Sequence, residues 1–307
     1  MKLRNREVQI SEVNYKAHFY PESFIEESEK AYDSEIERVA EAAKENIKEK
    51  WIMMICGPSA SGKTTTAGKI RKKLANLGVN APIVSLDDFY LPFEKLPKLE
   101  DGRIDYESVN GLDLDLLQSS FAELISEGKA EFPLYDFNKK QRTLGANTIA
   151  VGENDLLIIE GIHALNPVIR GNFDSELFMN VYIETTTEFK YENKTLMSAD
   201  DIRMIRRMVR DYHYRSSSLD NTMDMWKGVI EGEQKYIRPY IDLADYVINT
   251  THDYEPNIFH NYFFPIYNQG KKGKYSAVYR RIASVLDMFY DISAELMPSE
   301  SLLREFI

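Results

Sequence analysis

This sequence is poor in cysteine, in long apolar runs and in net positive charge, and each shortage excludes a class of protein. Cys56 is the only cysteine among 307 residues, so an internal disulfide framework is excluded and a reducing compartment is indicated. No apolar run approaches the roughly 18 residues that a membrane-spanning helix requires, and no apolar signal segment follows the first basic residues. The formal net charge of −11 argues against a nucleic-acid partner, because a phosphate backbone binds to basic surface. We therefore expect a cytoplasmic protein with no membrane or nucleic-acid partner.

The composition is that of a globular chain. Apolar residues make up 43% of the sequence and charged residues 28%, so a chain of this length can bury a sizeable core. Residues 1–50 contain one amphipathic helix pattern and no recognisable chemistry, and residues 251–307 are expected to be mostly helical. The motifs that carry chemistry lie between these two segments.

Residues 57–64 read GPSASGKT and fit the phosphate-binding pattern G-x-x-x-x-G-K-[ST] at every fixed position. Chance would produce this pattern in roughly one chain of this length in a hundred. The apolar run 51–56 before it is typical of a buried parallel strand, and apolar residues at helical spacing follow it until Gly78. Such an arrangement aims backbone N–H groups and the positive end of a helix at phosphate. The residues expected to bind a nucleoside triphosphate are Gly57, Ser59, Ala60, Ser61, Gly62, Lys63, Thr64 and Thr65.

Two side chains of this loop and one later acid have expected roles of their own. Lys63 reaches the β- and γ-phosphates, and the Thr64 hydroxyl ligates Mg²⁺. Residues 156–160, LLIIE, form a third predicted strand that ends in Glu160, a Walker B pattern whose natural partner is Mg²⁺ or its water shell. His163 follows shortly afterwards, and a lone histidine after a strand is more often structural than catalytic.

Two adjacent carboxylates, Asp87 and Asp88, end the predicted strand 82–86. Ligands of a doubly wound sheet lie outside the carboxyl ends of its strands, so these acids are expected beside the phosphate loop. They either cap the next turn or supply an acid that orients and deprotonates an attacking hydroxyl, and we favour the second role. Successive side chains of an extended segment point to opposite sides, so only one of the pair can face the loop. The strand pattern does not select which one.

Residues 132–151 predict a small β-hairpin beside the main sheet. Tyr135 and Phe137 flank an acid in its first strand. These two aromatics are either part of the hairpin core or the walls of a pocket for a flat ring.

Arginines recur along one face of a later predicted helix, and another follows it. They are Arg203, Arg206, Arg207 and Arg210, then Arg215. A solvated basic face is one interpretation of this stripe. We favour a lid that closes over the phosphates and supplies positive charge to the transferring group.

These segments together resemble the motif set of uridine kinases, which belong to the phosphoribulokinase/uridine kinase group of P-loop kinases. The resemblance covers roughly residues 51–250, and its motifs occur in the group's order: GPSASGKT, SLDDFY (85–90), YDF (135–137), IEG (159–161) and RRMVRD (206–211). It implies an α/β P-loop fold with a doubly wound, mainly parallel sheet, a small β-hairpin substrate region and a helical lid. It also implies phosphoryl transfer from ATP with Mg²⁺.

Two further segments, IHALN (162–166) and SLLREFI (301–307), are similar to a bacterial subgroup of that family. In the subgroup the kinase often follows a threonyl-tRNA-synthetase-like region, which is not recognisable in this sequence. The domain organisation we predict is an N-terminal helical extension (1–50), a P-loop kinase domain (51–250) and a C-terminal helical extension packed on the kinase domain (251–307).

The resemblance implies roles for individual acceptor-site residues. Asp87 matches the acid that engages the nucleoside 5′-hydroxyl, and Tyr90 matches the neighbouring substrate-site tyrosine. Glu107 is the better match for the acid that holds the ribose hydroxyls, and Asp105 stays an alternative. The aromatics around the base are matched by Tyr135 and Phe137, and the arginines of the substrate and lid regions by Arg207, Arg210 and Arg215.

Two positions depart from the uridine kinase pattern. Lys140 stands where those enzymes usually carry a histidine that helps to read the pyrimidine. Ser217 stands where they carry a second arginine, two residues past the match to Arg215. The departures leave phosphoryl transfer intact and leave the base preference open.

The resemblance implies an ATP-dependent kinase that phosphorylates the 5′-hydroxyl of a uridine- or cytidine-like nucleoside. The residues expected to carry catalysis are Lys63, Asp87, Arg207 and Arg210. Acceptors of the pantothenate, glycerate or sugar-phosphate type are the alternative. A nucleotide-dependent switch or ATPase is the other class, although the N-K-x-D motif of guanine-reading GTPases is missing. The sequence leaves open whether the chain forms a homo-oligomer.

Overall fold

The structure is a computed structural model that describes residues 5–136, 141–270 and 272–307. Its strands are β1 (Arg6–Gln9), β2 (Ile52–Cys56), β3 (Ile83–Ser85), β4 (Lys129–Asp136), β5 (Gln141–Ala150), β6 (Leu157–Glu160), β7 (Phe178–Glu184), β8 (Thr187–Tyr191), β9 (Lys194–Met197) and β10 (Tyr246–Asn249). Its α-helices are α1 (Ile10–Phe19), α2 (Pro21–Glu45), α3 (Lys63–Asn76), α4 (Leu114–Glu127), α5 (Pro167–Arg170), α6 (Ala199–Arg215), α7 (Leu219–Tyr236), α8 (Glu255–Gly270) and α9 (Ser276–Leu286). Across these residues, no helix combines the length and the apolar character that crossing a bilayer requires.

Five strands form the main sheet in the order β10–β7–β2–β6–β3, and all of its neighbouring pairs are parallel. The central strand β2 is buried along its whole length because both faces of the sheet are covered. Met53 and Ile55 pack into one core with residues of α2 and α3, whereas Ile52 and Met54 pack into a second core with Leu117 of α4. The predicted doubly wound, mainly parallel sheet is confirmed.

The first fifty residues need one correction, because they are not wholly helical. β1 joins a second, three-stranded sheet, in which it lies parallel to β8 while β8 and β9 run antiparallel. The long helix α2 packs on α3 and β10, and the Tyr32 hydroxyl lies 2.7 Å from the Thr66 hydroxyl of α3. The division of the chain near residues 50 and 250 stays a prediction.

The predicted hairpin is confirmed as a separate antiparallel pair, β4 and β5, beside the main sheet. Phe132 of β4 is buried and packs edge-to-face on Phe89, with their ring centroids 6.2 Å apart. This contact anchors the hairpin at the end of β3, next to the two adjacent carboxylates. Phe137 and Lys140 lie outside the described residues.

Candidate active site

The phosphate loop runs from the end of β2 into the start of α3, as its sequence predicts. Gly57 has no room for a side chain, because a Cβ there would lie 2.3 Å from the Ile183 carbonyl oxygen. Gly62 caps α3 at a φ of 87°, in the left-handed region that favours glycine. The Lys63 ammonium donates to the Pro58 carbonyl across the loop, at 3.2 Å. The loop thus places the lysine and the first turn of α3 around one anion-binding concavity.

Three buried side chains, two on α6 and one directly after β10, donate to backbone carbonyls of this loop. Arg203 donates to the Ser59 carbonyl at 3.2 Å, and Arg206 donates to the Ala60 carbonyl at 3.3 Å. The Thr250 hydroxyl donates to the next carbonyl, that of Ser61, at 2.7 Å. In a trans peptide the N–H points away from the C=O, so these bonds direct the following N–H groups to the opposite side. The three donors therefore orient the loop for phosphate.

Acids from distant segments neutralise the two innermost arginines. Arg206 pairs with Glu255 at 2.5 and 2.9 Å, and both side chains are fully buried. Arg203 pairs with the buried Glu233 at 2.7 Å. The solvated-face interpretation of the arginine stripe is wrong for these two residues, which carry structural roles.

The remaining arginines of the stripe gather around Asp211, a buried acid to which the sequence analysis assigned no role. Arg210 donates to the Asp211 carboxylate at 2.7 Å, and Arg207 and Arg215 approach it to 3.4 and 3.6 Å. Arg207 also donates to the Ser59 hydroxyl of the phosphate loop at 2.7 Å. Three guanidinium groups share this one carboxylate, so Asp211 alone does not neutralise them. Closure of α6 as a lid stays a prediction.

Asp87 and Asp88 lie in a 3₁₀ turn, Leu86–Phe89, rather than in an extended segment. The argument from strand alternation therefore does not apply to them. Asp88 accepts a hydrogen bond from the Tyr135 N–H at 3.0 Å, which ties the turn to the hairpin. The Asp87 side chain is exposed, but neighbouring protein groups partly desolvate its carboxyl and so raise its pKa, while Lys63 and Arg215 act in the opposite direction. The space beside these three side chains is called the cleft below.

Glu107 and Asp105 lie on the loop that faces this cleft. Burial raises the pKa of Glu107 to about 7, opposed by the positive charges of Arg207 and Lys63. Asp105 is engaged in its own turn, because it accepts from the Glu107 N–H at 3.2 Å and from the Tyr236 hydroxyl at 3.4 Å. Glu107 is therefore the better placed of the two acids to receive a ligand.

Two aromatic residues line the hairpin side of the cleft. The rings of Tyr90 and Tyr135 are 6.1 Å apart, and the Tyr90 hydroxyl donates to the Tyr106 carbonyl at 2.9 Å. Both tyrosines are partly accessible to solvent. Of the two interpretations for Tyr135, this position favours a pocket wall over hairpin core.

The predicted magnesium ligands lie on adjoining elements. The Thr64 side chain is exposed in the first turn of α3, and Glu160 ends β6, where its carboxylate accepts from the Ser85 hydroxyl at 2.7 Å. Burial raises the pKa of Glu160, and Lys63 opposes that shift. The described residues contain no cluster of three metal-ligating acids, histidines or cysteines. Mg²⁺ usually takes one or two protein oxygens together with phosphate and water, so this pair fits the ion.

Two further residues complete the site. His163 is buried, and burial lowers its pKa to about 4, so it is neutral near pH 7 and packs edge-to-face on Tyr236 at 5.9 Å. Its interpretation as a structural residue stays a prediction. Thr65 donates to the Glu305 carboxylate at 2.5 Å, a contact between residues 240 positions apart that sequence patterns do not reveal.

Several known proteins have sequences similar to this one. A family model described as the phosphoribulokinase/uridine kinase family matches residues 52–255. A uridine kinase from Lactobacillus helveticus is 32% identical over 199 residues, which is 64% of this chain and 85% of that protein. A uridine kinase from Halobacterium salinarum is 28% identical over 195 residues, 63% of this chain and 77% of that protein.

Solved structures give weaker matches. The structure of a possible uridine kinase from Bacillus stearothermophilus aligns with a TM-score of 0.44 at 20% identity, covering 66% of this chain and 89% of that one. The family match spans the phosphate loop, the two acids at the end of β3, the hairpin and the arginine helix. This chain belongs to the phosphoribulokinase/uridine kinase family.

Proposed function

We propose that this chain transfers the γ-phosphoryl group of ATP to the 5′-hydroxyl of a nucleoside, with uridine and cytidine as the expected acceptors. One observation carries the proposal: Lys63, Asp87 and Arg207 all lie near enough to Glu107 to act on it electrostatically, and Arg207 also donates to the Ser59 hydroxyl of the phosphate loop at 2.7 Å. Such a transfer requires a lysine that binds phosphate and an arginine that neutralises its charge. The two acids have raised pKa values, which is common among groups of an active site. The uridine kinases among its relatives support the choice of acceptor.

In this proposal the chain acts mainly by positioning. The loop N–H groups and Lys63 hold the β- and γ-phosphates, while Arg207 and Arg210 neutralise charge on the transferring group. Mg²⁺, held by Thr64 and Glu160, would supply further neutralisation of the phosphates when bound. Asp87 accepts the proton of the attacking hydroxyl, because an alcohol is a poor nucleophile near neutral pH.

The acceptor would lie between the loop that carries Glu107 and the hairpin. Glu107 would accept hydrogen bonds from the ribose hydroxyls, and Tyr90 and Tyr135 would contact the base. Lys140 and Ser217 leave the choice of base open. A cytoplasmic location, the absence of a nucleic-acid partner and the oligomeric state stay predictions.

A screen of nucleosides and other small alcohols for acceptor-dependent ADP release tests the proposed function. Release with uridine or cytidine supports it. Release with pantothenate, glycerate or a sugar phosphate as the preferred acceptor would replace the nucleoside by one of the alternative acceptors. ADP release that is the same with and without any acceptor would indicate an ATPase or a switch, and would contradict the kinase.

Glu107 makes acceptor binding dependent on pH. Its pKa of about 7 means that the carboxylate is protonated below that pH and ionised above it. The ionised carboxylate can accept a charge-assisted hydrogen bond on each oxygen, whereas the protonated form keeps a proton on one of them, so we expect KM for the nucleoside to fall roughly five- to tenfold between pH 6 and pH 8. Glu107→Gln should flatten this profile, whereas Asp105→Asn should retain it. A flat profile in Asp105→Asn and a retained one in Glu107→Gln would mean that Asp105 binds the ribose hydroxyls.

The arginines around Asp211 should act on the rate more than on ATP binding. We expect Arg207→Ala and Arg210→Ala each to lower kcat by about 10- to 100-fold with a smaller change in ATP affinity, because a lid matters most when it is closed. Arg280→Ala, at an exposed position of α9, is the control and should leave both quantities unchanged. Wild-type rates together with wild-type thermal stability in both variants would contradict a role in the transfer.

A further inference from the structure

Residues 301–307, here called the strap, lie across the start of α3. Leu302 and Phe306 of the strap are fully buried. Leu302 packs directly on the phosphate loop, because a Cβ at Gly62 would lie 2.6 Å from the Leu302 Cδ1. The strap therefore packs against the phosphate loop where α3 begins.

The strap contacts the arginine helix as well as the phosphate-loop helix. The guanidinium of Arg206 lies over the Phe306 ring, 5.0 Å from its centroid. The Tyr214 hydroxyl, near the end of α6, donates to the Ile307 carbonyl. A 3₁₀ turn, Leu302–Glu305, gives the strap its shape, and the buried Ser301 caps that turn. Contacts with both α3 and α6 thus fix the position of the strap.

One charged group of the strap points at the phosphate loop. The Glu305 carboxylate accepts the hydrogen bond of the Thr65 hydroxyl at 2.5 Å. Thr65 lies in the first turn of α3, where the helix dipole favours an anion. Glu305 also acts electrostatically on Arg215 and on Glu160. The carboxylate therefore occupies the kind of position in which a phosphate oxygen is expected to bind.

We propose that Glu305 competes with the nucleotide phosphate for the Thr65 hydroxyl and so sets the affinity of the site for ATP. The inference rests on the proposed function, because it requires Thr65 to bind a phosphate. A hydroxyl has one proton to donate, so two anions cannot both receive it. The negative charge of the carboxylate would also repel a phosphate bound beside Thr65. Binding of ATP then requires the Glu305 side chain to withdraw, and the rest of the strap keeps its apolar contacts.

The test is the affinity of the full chain for a non-hydrolysable ATP analogue with Mg²⁺, measured by isothermal titration calorimetry. Glu305→Gln keeps the shape but removes the charge, and its neutral amide oxygen accepts the Thr65 proton more weakly than a carboxylate does, so we expect it to tighten binding at least roughly threefold. Glu300→Gln is the matched control. Its exposed carboxylate pairs at 2.5 Å with Lys72, which lies on α3 like Thr65. The control should bind like the wild type. Unchanged or weaker binding by Glu305→Gln would overturn the competition.

The same titrations separate failure of this inference from failure of the proposed function. A wild-type protein that does not bind the analogue would overturn both. A wild-type protein that binds it, with no gain in Glu305→Gln, would overturn the competition alone. Equal melting temperatures of the two glutamine variants and the wild type would confirm that the fold is the same in each titration.

Hydrogen exchange gives a second, independent readout. Addition of the analogue should slow exchange in the phosphate loop and speed it in the strap, because the Glu305 contact is lost. Slower exchange in both segments would mean that the strap closes on the nucleotide, and would overturn the proposal.

Discussion

Lys63→Ala is expected to remove ATP-dependent phosphorylation while the fold persists. The Lys63 ammonium lies 3.2 Å from the Pro58 carbonyl, so it spans the concavity in which the phosphates are expected. In the proposed function it would be the principal side-chain cation for the γ-phosphate, whose charge must be stabilised during transfer. Its loss should cost about 3–4 kcal/mol in the transition state, a reduction in kcat of about 10²- to 10³-fold. The measurement is ADP formation with saturating acceptor.

Lys72→Ala is the matched control for this change. Lys72 lies on the same helix, α3, but its exposed ammonium pairs with Glu300 outside the cleft. Its removal should leave turnover unaltered. Wild-type turnover in Lys63→Ala would contradict the assignment of the phosphate loop.

Asp87→Asn should reduce kcat by about 10²- to 10⁴-fold and leave ATP binding largely intact. The substitution keeps the shape of the side chain and removes the base. Asp87 is the acid of the pair that faces the cleft, where Lys63 and Arg215 lie near enough to stabilise its ionised form. Rates measured under saturating ATP, together with ATP affinity, distinguish a lost base from a lost binding site.

Asp88→Asn provides the comparison on the neighbouring residue. Its carboxylate accepts from the Tyr135 N–H, and an asparagine oxygen can accept the same hydrogen bond. The effect on kcat should therefore be much milder than that of Asp87→Asn. If Asp88→Asn lost more kcat than Asp87→Asn, Asp88 would be the acid that takes the proton of the acceptor hydroxyl.

Asp87 and Asp88 also show what a local sequence pattern can and cannot predict. The apolar run 82–86 predicted a strand with acids at its carboxyl end, and β3 confirms that position. The pattern did not show that the chain turns into a 3₁₀ helix at Leu86, where the Ser85 hydroxyl accepts from the Asp87 N–H. The choice between the acids therefore depends on the hairpin, which engages Asp88 and leaves Asp87 in the cleft.

The arginine helix was the least predictable part of the site. Helical spacing correctly predicted that its arginines share a face, because spacing depends only on the helix period. The pattern did not predict that Arg203 and Arg206 are fully buried. Their partners, Glu233 and Glu255, lie on α7 and α8. Isolated buried charges are too costly to expect without such partners.

Elements with a local signal could be predicted from the amino-acid sequence. The phosphate loop, the buried strand β2 and the hairpin are confirmed because glycine placement, apolar runs and turn composition act over a few neighbouring residues. Contacts between distant segments, such as β1 beside β8 and Glu305 on Thr65, are visible only in the folded structure. A single carboxylate or a four-residue strand has no periodic signal of its own. Its partner is chosen only when the packing of the whole chain brings the two together.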